Sequence, residues 1–165
     1  MGNGYRAAVI TSSDKGFTGE REDVGGRVLK ELLEEAGYTI VAHRILPDEQ
    51  DALAAEMMRL ADGGLCDVIF TTGGTGLSPR DVTPEATLSV ATRLAPGFAE
   101  AMRAGTLRVT DRAMLSRAVS VIRHRTLIIN LPGSPKAIKE NLEVILGPLG
   151  HGLEVLRGES GDCAR

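Results

Sequence analysis

Residues 67–85 read DVIFTTGGTGLSPRDVTPE, and the fold follows from where that stretch divides. Val68-Ile69-Phe70 is a short apolar run of the kind that forms a strand buried on both faces. Gly73, Gly74 and Gly76 break it, and Thr83-Pro84-Glu85 opens a helix, with Thr as cap, Pro at the first helical position and Glu in the first turn. Strand, glycine loop and helix in that order are half of a βαβ crossover.

The same alternation extends outward in both directions. Residues 6–11 are a second apolar run, and Val24, Val28, Leu32 and Ala36, widened by Leu29 and Leu33, mark an amphipathic helix that Gly37 stops. Residues 38–46 read as a strand, ended by Pro47-Asp48, and Leu53, Met57 and Leu60 mark the next helix. Beyond the quoted stretch, helices are predicted over about 84–93 and 96–107. The runs 118–122 and 127–130, separated by Arg123-His124-Arg125, are either a hairpin or a continuous bend. Ile138, Leu142, Ile145 and Leu149 mark a last helix. Strands alternating with helices predict a three-layer α/β/α domain with a mostly parallel sheet. The chain of 165 residues is read as one domain, residues 1–165, with residues 159–165 as a frayed tail.

Composition narrows the function classes. Apolar residues make up 42%, the net charge is −3, and there are only two Tyr, three Phe and no Trp. Without a basic stretch or aromatic platforms, nucleic acid is not an expected partner. No apolar segment approaches a membrane span, the start MGNGYR carries no signal region or myristoylation pattern, and a cytoplasmic location is expected. Cys66 and Cys163 lack metal-ligand or redox spacing and read as structural or incidental thiols. No His pairs with Cys or a carboxylate at zinc-ligand spacing, so zinc is not expected.

In an open parallel sheet, ligands bind beyond the carboxyl ends of the strands. Those ends carry Ser13-Asp14-Lys15, Asp48-Glu49, Gly73-Gly74-Thr75-Gly76 with Arg80-Asp81, and Gly133-Ser134-Pro135-Lys136. Each has a plain reading beside the functional one. The glycines either make a turn or let backbone N–H groups approach a phosphate. The loop is neither a Walker loop, since no Gly-Lys-Ser/Thr follows, nor a dinucleotide fingerprint, since Pro79 stands at the third glycine position. Asp48 and Ser134 either cap helices or face a ligand, and Lys15 and Lys136 are solvated charges or phosphate contacts. With Thr83 as the cap, Asp81 is left either to pair with Arg80 or to meet a metal or substrate.

The block Gly73–Ala86 resembles the signature of the molybdopterin-binding MoaB/Mog family, and within it the MogA branch of molybdopterin adenylyltransferases. Leu46-Pro47-Asp48-Glu49-Gln50, Pro96-Gly97-Phe98, Leu115-Ser116-Arg117 and Asn130–Lys136 agree in family order. The resemblance implies an enzyme of molybdenum cofactor biosynthesis. It would use ATP and Mg²⁺ to place AMP on the terminal phosphate of molybdopterin, releasing pyrophosphate. It further implies a homotrimer or hexamer and hand-over of product to a molybdenum insertase. The family's two important aspartates fall on Asp48 and Asp81, expected as catalytic residues and Mg²⁺ ligands. Gly73, Gly74, Thr75, Gly76, Arg80, Ser13, Asp14, Lys15, Gly133, Ser134 and Lys136 are expected to bind the phosphates of nucleotide and molybdopterin. The alternative in the same family is a carrier that binds molybdopterin without adenylylating it. The molybdate-inserting proteins are much longer chains, and the relatives that act on pyridine nucleotides continue differently after the glycines.

Overall fold

The computed structural model describes residues 2–159. The predicted tail beyond 159, with Cys163, lies outside the described residues. The strands are β1 (Arg6–Ser12), β2 (Thr39–Leu46), β3 (Val68–Thr72), β4 (Arg93–Leu94), β5 (Ser120–Arg123) and β6 (Thr126–Leu131). Among the described residues they form one sheet in the order β2-β1-β3-β6-β5-β4. Pairs β1–β2, β1–β3 and β3–β6 are parallel, and β5 runs antiparallel to both of its neighbours. The two runs around residue 124 are therefore a hairpin, turned at His124 with φ 52°.

The helices are α1 (Asp14–Phe17), α2 (Val24–Glu35), α3 (Gln50–Asp62), α4 (Thr83–Ser89), α5 (Gly97–Thr106) and α6 (Pro135–Arg157). Strand periodicity divides the core in two. Ala7, Val9, Val68, Phe70, Leu127 and Ile129 face Leu29 and Leu33 of α2, Met102 of α5 and Ile138, Leu142, Ile145 and Leu149 of α6. The alternate residues Ala8, Ile10, Ile69 and Ile128 face Leu53, Met57 and Leu60 of α3 and Ala86 of α4. This period of two across parallel strands produces the three layers.

Two local readings are corrected, and one element is added. The stripe of α2 centres on Leu29 and Leu33, continued by buried Gly25 and Gly26, while Val24 is exposed. Gly37 does end it, with φ 91° and the Tyr38 N–H bonded to Leu33 O at 3.0 Å. The helix expected over 84–93 stops at Ser89, because Arg93–Leu94 is drawn onto the sheet edge as β4. A 3₁₀ turn at Asp111–Leu115, not foreseen, follows α5.

At the amino end of the sheet, Asp67 joins three elements. Its carboxylate accepts from the Arg6 N–H (2.7 Å) and guanidinium and from Arg157 Nη2 (2.6 Å). Burial by itself raises the Asp67 pKa, but the hydrogen bonds from Arg157 and Arg6 outweigh it and hold the carboxyl below its ordinary value. Asp67→Ala is expected to cost about 2–3 kcal/mol in urea denaturation. That is below the roughly 3–5 kcal/mol of a fully buried broken pair, because both arginines keep water contact. The folded pKa is depressed, so this contribution is complete above the ordinary value of 3.8 and is lost as pH falls through the folded pKa. The gap between wild type and variant should therefore narrow in strong acid.

Candidate active site

The helices that follow β1 and β3 leave toward opposite faces, α2 to one core and α4 to the other. Diverging connections open a crevice between the carboxyl ends of these neighbouring strands. A cleft of about 630 Å³ lies there. Thr11, Ser12 and Ser13 line it from the end of β1, Thr72, Gly73 and Gly74 from β3, Asp48 from β2, and Asp81 from the glycine loop. Gly133 and Ser134 close it from the start of α6.

Asp48 is not a helix cap. The cap position of α3 is Glu49, which makes no side-chain bond to the helix. Asp48 Oδ1 instead accepts from Ser12 Oγ at 2.6 Å, and Oδ2 from the Asp14 N–H at 3.0 Å. The Asp48 N–H in return donates to Asp14 Oδ1 at 2.9 Å. Arg80 does not pair with Asp81 either. Its guanidinium grips Asp14, with Nε–Oδ2 3.1 Å and Nη2–Oδ2 2.9 Å, and reaches Glu49 Oε1 at 3.2 Å. The hydrogen bond from the Asp48 N–H, helped by Arg80, holds the Asp14 carboxyl below its ordinary value.

The glycine loop is shaped first by the protein itself. Gly73 and Gly74 have φ 88° and 68°, a region that only glycine enters freely. A Cβ on Gly73 would lie 2.5 Å from Ser12 O, and one on Gly74 would meet Thr83 Oγ1. Thr83 is not the cap of α4; Val82 occupies that position. Thr83 Oγ1 donates to Gly73 O at 2.9 Å, and behind it Asn130 Nδ2 donates to Thr71 and Thr87, each at 2.9 Å. These four polar side chains are fully buried and bonded to one another or to backbone, which makes a rigid floor. On the outer side Arg117 donates to Gly76 O (2.8 Å) and Asp81 O (2.6 Å) and pairs with Glu85. The Asp81 carboxylate folds back on the Ser78 N–H at 3.0 Å while lining the cleft.

Of the predicted site residues, Ser13, Asp48, Gly73, Gly74, Asp81, Gly133 and Ser134 meet at the cleft. Asp14 and Arg80 stand bonded at its rim. Thr75 is buried beneath the loop, its carbonyl bonded to the Arg117 N–H. Gly76 lies against Asp81. Lys15 is exposed outside the lining, and Lys136, 84% exposed, points to Glu140. Ser13 and Ser134 both cap helices, accepting from Gly16 N and Ala137 N.

The sequence reading missed the wall formed by Arg21, Glu22, Asp23, Val24 and Gly25. Asp23 caps α2 through the Gly26 N–H (2.8 Å), accepts from Thr11 Oγ1 (2.7 Å), and meets His43 Nε2 at 3.0 Å. Burial works against its charge, but the bonds from His43, Thr11 and Gly26 hold its pKa below the ordinary value. An Asp just before a helical stripe is a cap signal, and that was the available clue. A Cβ on Gly25 would come 2.6 Å from Gly133 O, so the two helix starts abut. A second cavity of about 540 Å³ surrounds Asp67 and Arg157 at the other end of the sheet, where the two pair with each other. It includes Cys66, whose thiol burial pushes up to about 12, an inert structural group.

Residues 8–151 match the family described as "Probable molybdopterin binding domain". A molybdopterin adenylyltransferase of Helicobacter pylori is 38% identical over 152 residues, 91% of this chain and 86% of its own. The molybdopterin adenylyltransferase of Escherichia coli K12 is 46% identical over 143 residues, 86% of this chain and 73% of its own. The crystal structure of the molybdopterin biosynthesis enzyme MoaB from Thermus thermophilus superposes with a TM-score of 0.88 at 45% identity, covering 93% of this chain and 97% of that one.

Proposed function

This chain belongs to the molybdopterin-binding family that its residues 8–151 match, and we propose that it is a molybdopterin adenylyltransferase of molybdenum cofactor biosynthesis, with the cleft as its active site. The Helicobacter pylori and Escherichia coli relatives carry that activity in their names. The observation that carries the reading is that Asp48, from the end of β2, and Asp81, from the glycine loop, line one cleft together with the wall at Asp23, and that the cleft's hydroxyls already serve the fold. Thr11 bonds Asp23, Ser12 bonds Asp48, Thr72 bonds Pro132 O, and Ser13 and Ser134 cap helices. In the adenylyl transfer that the relatives' names imply, the substrate supplies the nucleophile and no protein hydroxyl is required. A terminal phosphate oxygen of molybdopterin attacks the α-phosphorus of ATP, the α–β bridging bond breaks, and pyrophosphate leaves. Such a reaction asks the protein for positioning and for stabilisation of developing charge.

Among the described residues no group of three or more His, Cys, Asp or Glu stands close enough to hold a metal alone. Two carboxylates suit Mg²⁺, which keeps several waters and shares its coordination with substrate phosphates. Asp48 and Asp81 would hold it, and when bound it would offset negative charge on those phosphates. The Gly73 N–H is already bonded to Leu131 O at 3.2 Å, so the loop's donors toward phosphate begin at Gly74. Gly133 and the wall at Asp23 would enclose the rest of the ligands. Exposed Leu94 and Met114, with the apolar groove between Phe98 and Pro148, support a homo-oligomer, trimer or hexamer, which light scattering would size. A cytoplasmic setting and hand-over to a molybdenum insertase complete the reading; no helix among the described residues is long and apolar enough to cross a membrane.

Pyrophosphate release from ATP and Mg²⁺ tests it. Release should require molybdopterin and should fall by about 10²-fold or more in Asp81→Asn. Tight molybdopterin binding without any release would make the protein a carrier instead.

A further inference from the structure

Asp14 is absent from the cleft's lining, yet it is bonded to Asp48 in both directions. Its N–H fixes one oxygen of the Asp48 carboxylate, and its own carboxylate fixes the Asp48 backbone N–H, closing a ring between the ends of β1 and β2. Ser12 Oγ holds the other Asp48 oxygen at 2.6 Å. With each oxygen engaged by a donor, the carboxylate loses its freedom to rotate while keeping lone pairs for a further partner in the cleft it lines. Arg80 braces the ring from outside, giving three contacts of 2.9–3.1 Å to the two Asp14 oxygens and one of 3.2 Å to Glu49. Residues from three different loops are thereby tied together across the rim of the cleft.

We propose that Asp14 is the positioning residue that aims the Asp48 carboxylate into the cleft, with Arg80 as its brace rather than as a phosphate ligand. The inference rests on the reading of Asp48 as an active carboxylate. It differs from a contact role for Asp14, because both of its oxygens are already committed to Arg80 and one also to the Asp48 N–H. The Asp14 N–H holds the Asp48 carboxylate, and the Asp14 side chain seats that N–H by fixing the Asp48 backbone and Arg80; losing such an outer support typically costs about 10–100-fold in activity or metal affinity.

The test uses Asp14→Ala, Asp14→Asn, Asp48→Asn and the double variant Asp14→Ala/Asp48→Asn. Amide hydrogen exchange of Asp48, read by NMR on the ligand-free protein, reports the ring directly. Asp14→Ala should speed that exchange by about 10-fold, the loss of one hydrogen bond, whereas Asp14→Asn keeps an acceptor and should restore the protection. In kinetics, Asp14→Ala should lower kcat about 10–100-fold with KM for molybdopterin changed less than about 2-fold. The double variant should be no slower than Asp48→Asn alone, since both changes remove one function. Unchanged exchange and kcat in Asp14→Ala, or losses that multiply in the double variant, would overturn the proposal. Full activity in Asp48→Asn would overturn the underlying assignment of Asp48 instead, and the exchange measurement separates the two cases.

Discussion

Asp48→Asn is expected to lower molybdopterin-dependent pyrophosphate release by about 10²–10³-fold, the size of loss seen when one group stabilising transition-state charge is removed. The fold should survive the change. The amide oxygen can take the place of the oxygen that accepts from the Asp14 N–H, and its NH₂ then faces Ser12 Oγ. A serine hydroxyl rotates and can accept as readily as it donates. Only the charge is withdrawn, so thermal unfolding should move by no more than a few degrees while turnover collapses. Equal losses of stability and activity would mean that Asp48 is there to join β1 to β2 and nothing more.

Gly73→Ala should be the most damaging substitution in the glycine loop. A left-handed backbone costs an L-residue about 1–2 kcal/mol, and the new Cβ would stand 2.5 Å from Ser12 O. That oxygen belongs to the backbone of β1, so relief requires parting the ends of β1 and β3. Together these should destabilise the protein by about 3 kcal/mol. Since Ser12 also holds Asp48, activity should fall further than the unfolded fraction accounts for. Gly97→Ala is the control, because nothing lies within 4 Å of a Cβ there. In the first turn of α5 it should be neutral or slightly stabilising. Urea denaturation of both variants, with activity measured well below the transition, gives the comparison.

Where burial decides structure, the sequence was readable. The apolar runs at 6–11 and 67–72 became strands because each is buried between helices on both faces, and 38–46 became the half-exposed edge strand paired with β1. The spacing of Leu53, Met57 and Leu60 and of Ile138, Leu142, Ile145 and Leu149 marks helix faces that bury as expected. β4 was hidden because Arg93 and Leu94 are exposed and form an edge, leaving no alternation to detect. Around the cleft, the carboxyl-end rule placed Asp48, Asp81 and the glycines together, but contacts between loops had no local signature. Arg80 seemed to belong with its neighbour Asp81, whereas its partner Asp14 is 66 residues away. Asp23, Thr11 and His43 meet only after β2 has folded beside β1. Thr83 looked like a cap because caps are read along the chain, while its hydroxyl is used across the loop on Gly73.

The most direct measurement follows label from ATP. With α-³²P-ATP, Mg²⁺ and molybdopterin, the label should move onto molybdopterin, with one pyrophosphate released per AMP transferred and none released when molybdopterin is withheld. Pyrophosphate or phosphate release that ignores molybdopterin, or label that reaches molybdopterin from γ-³²P-ATP instead, would contradict adenylyl transfer in this cleft.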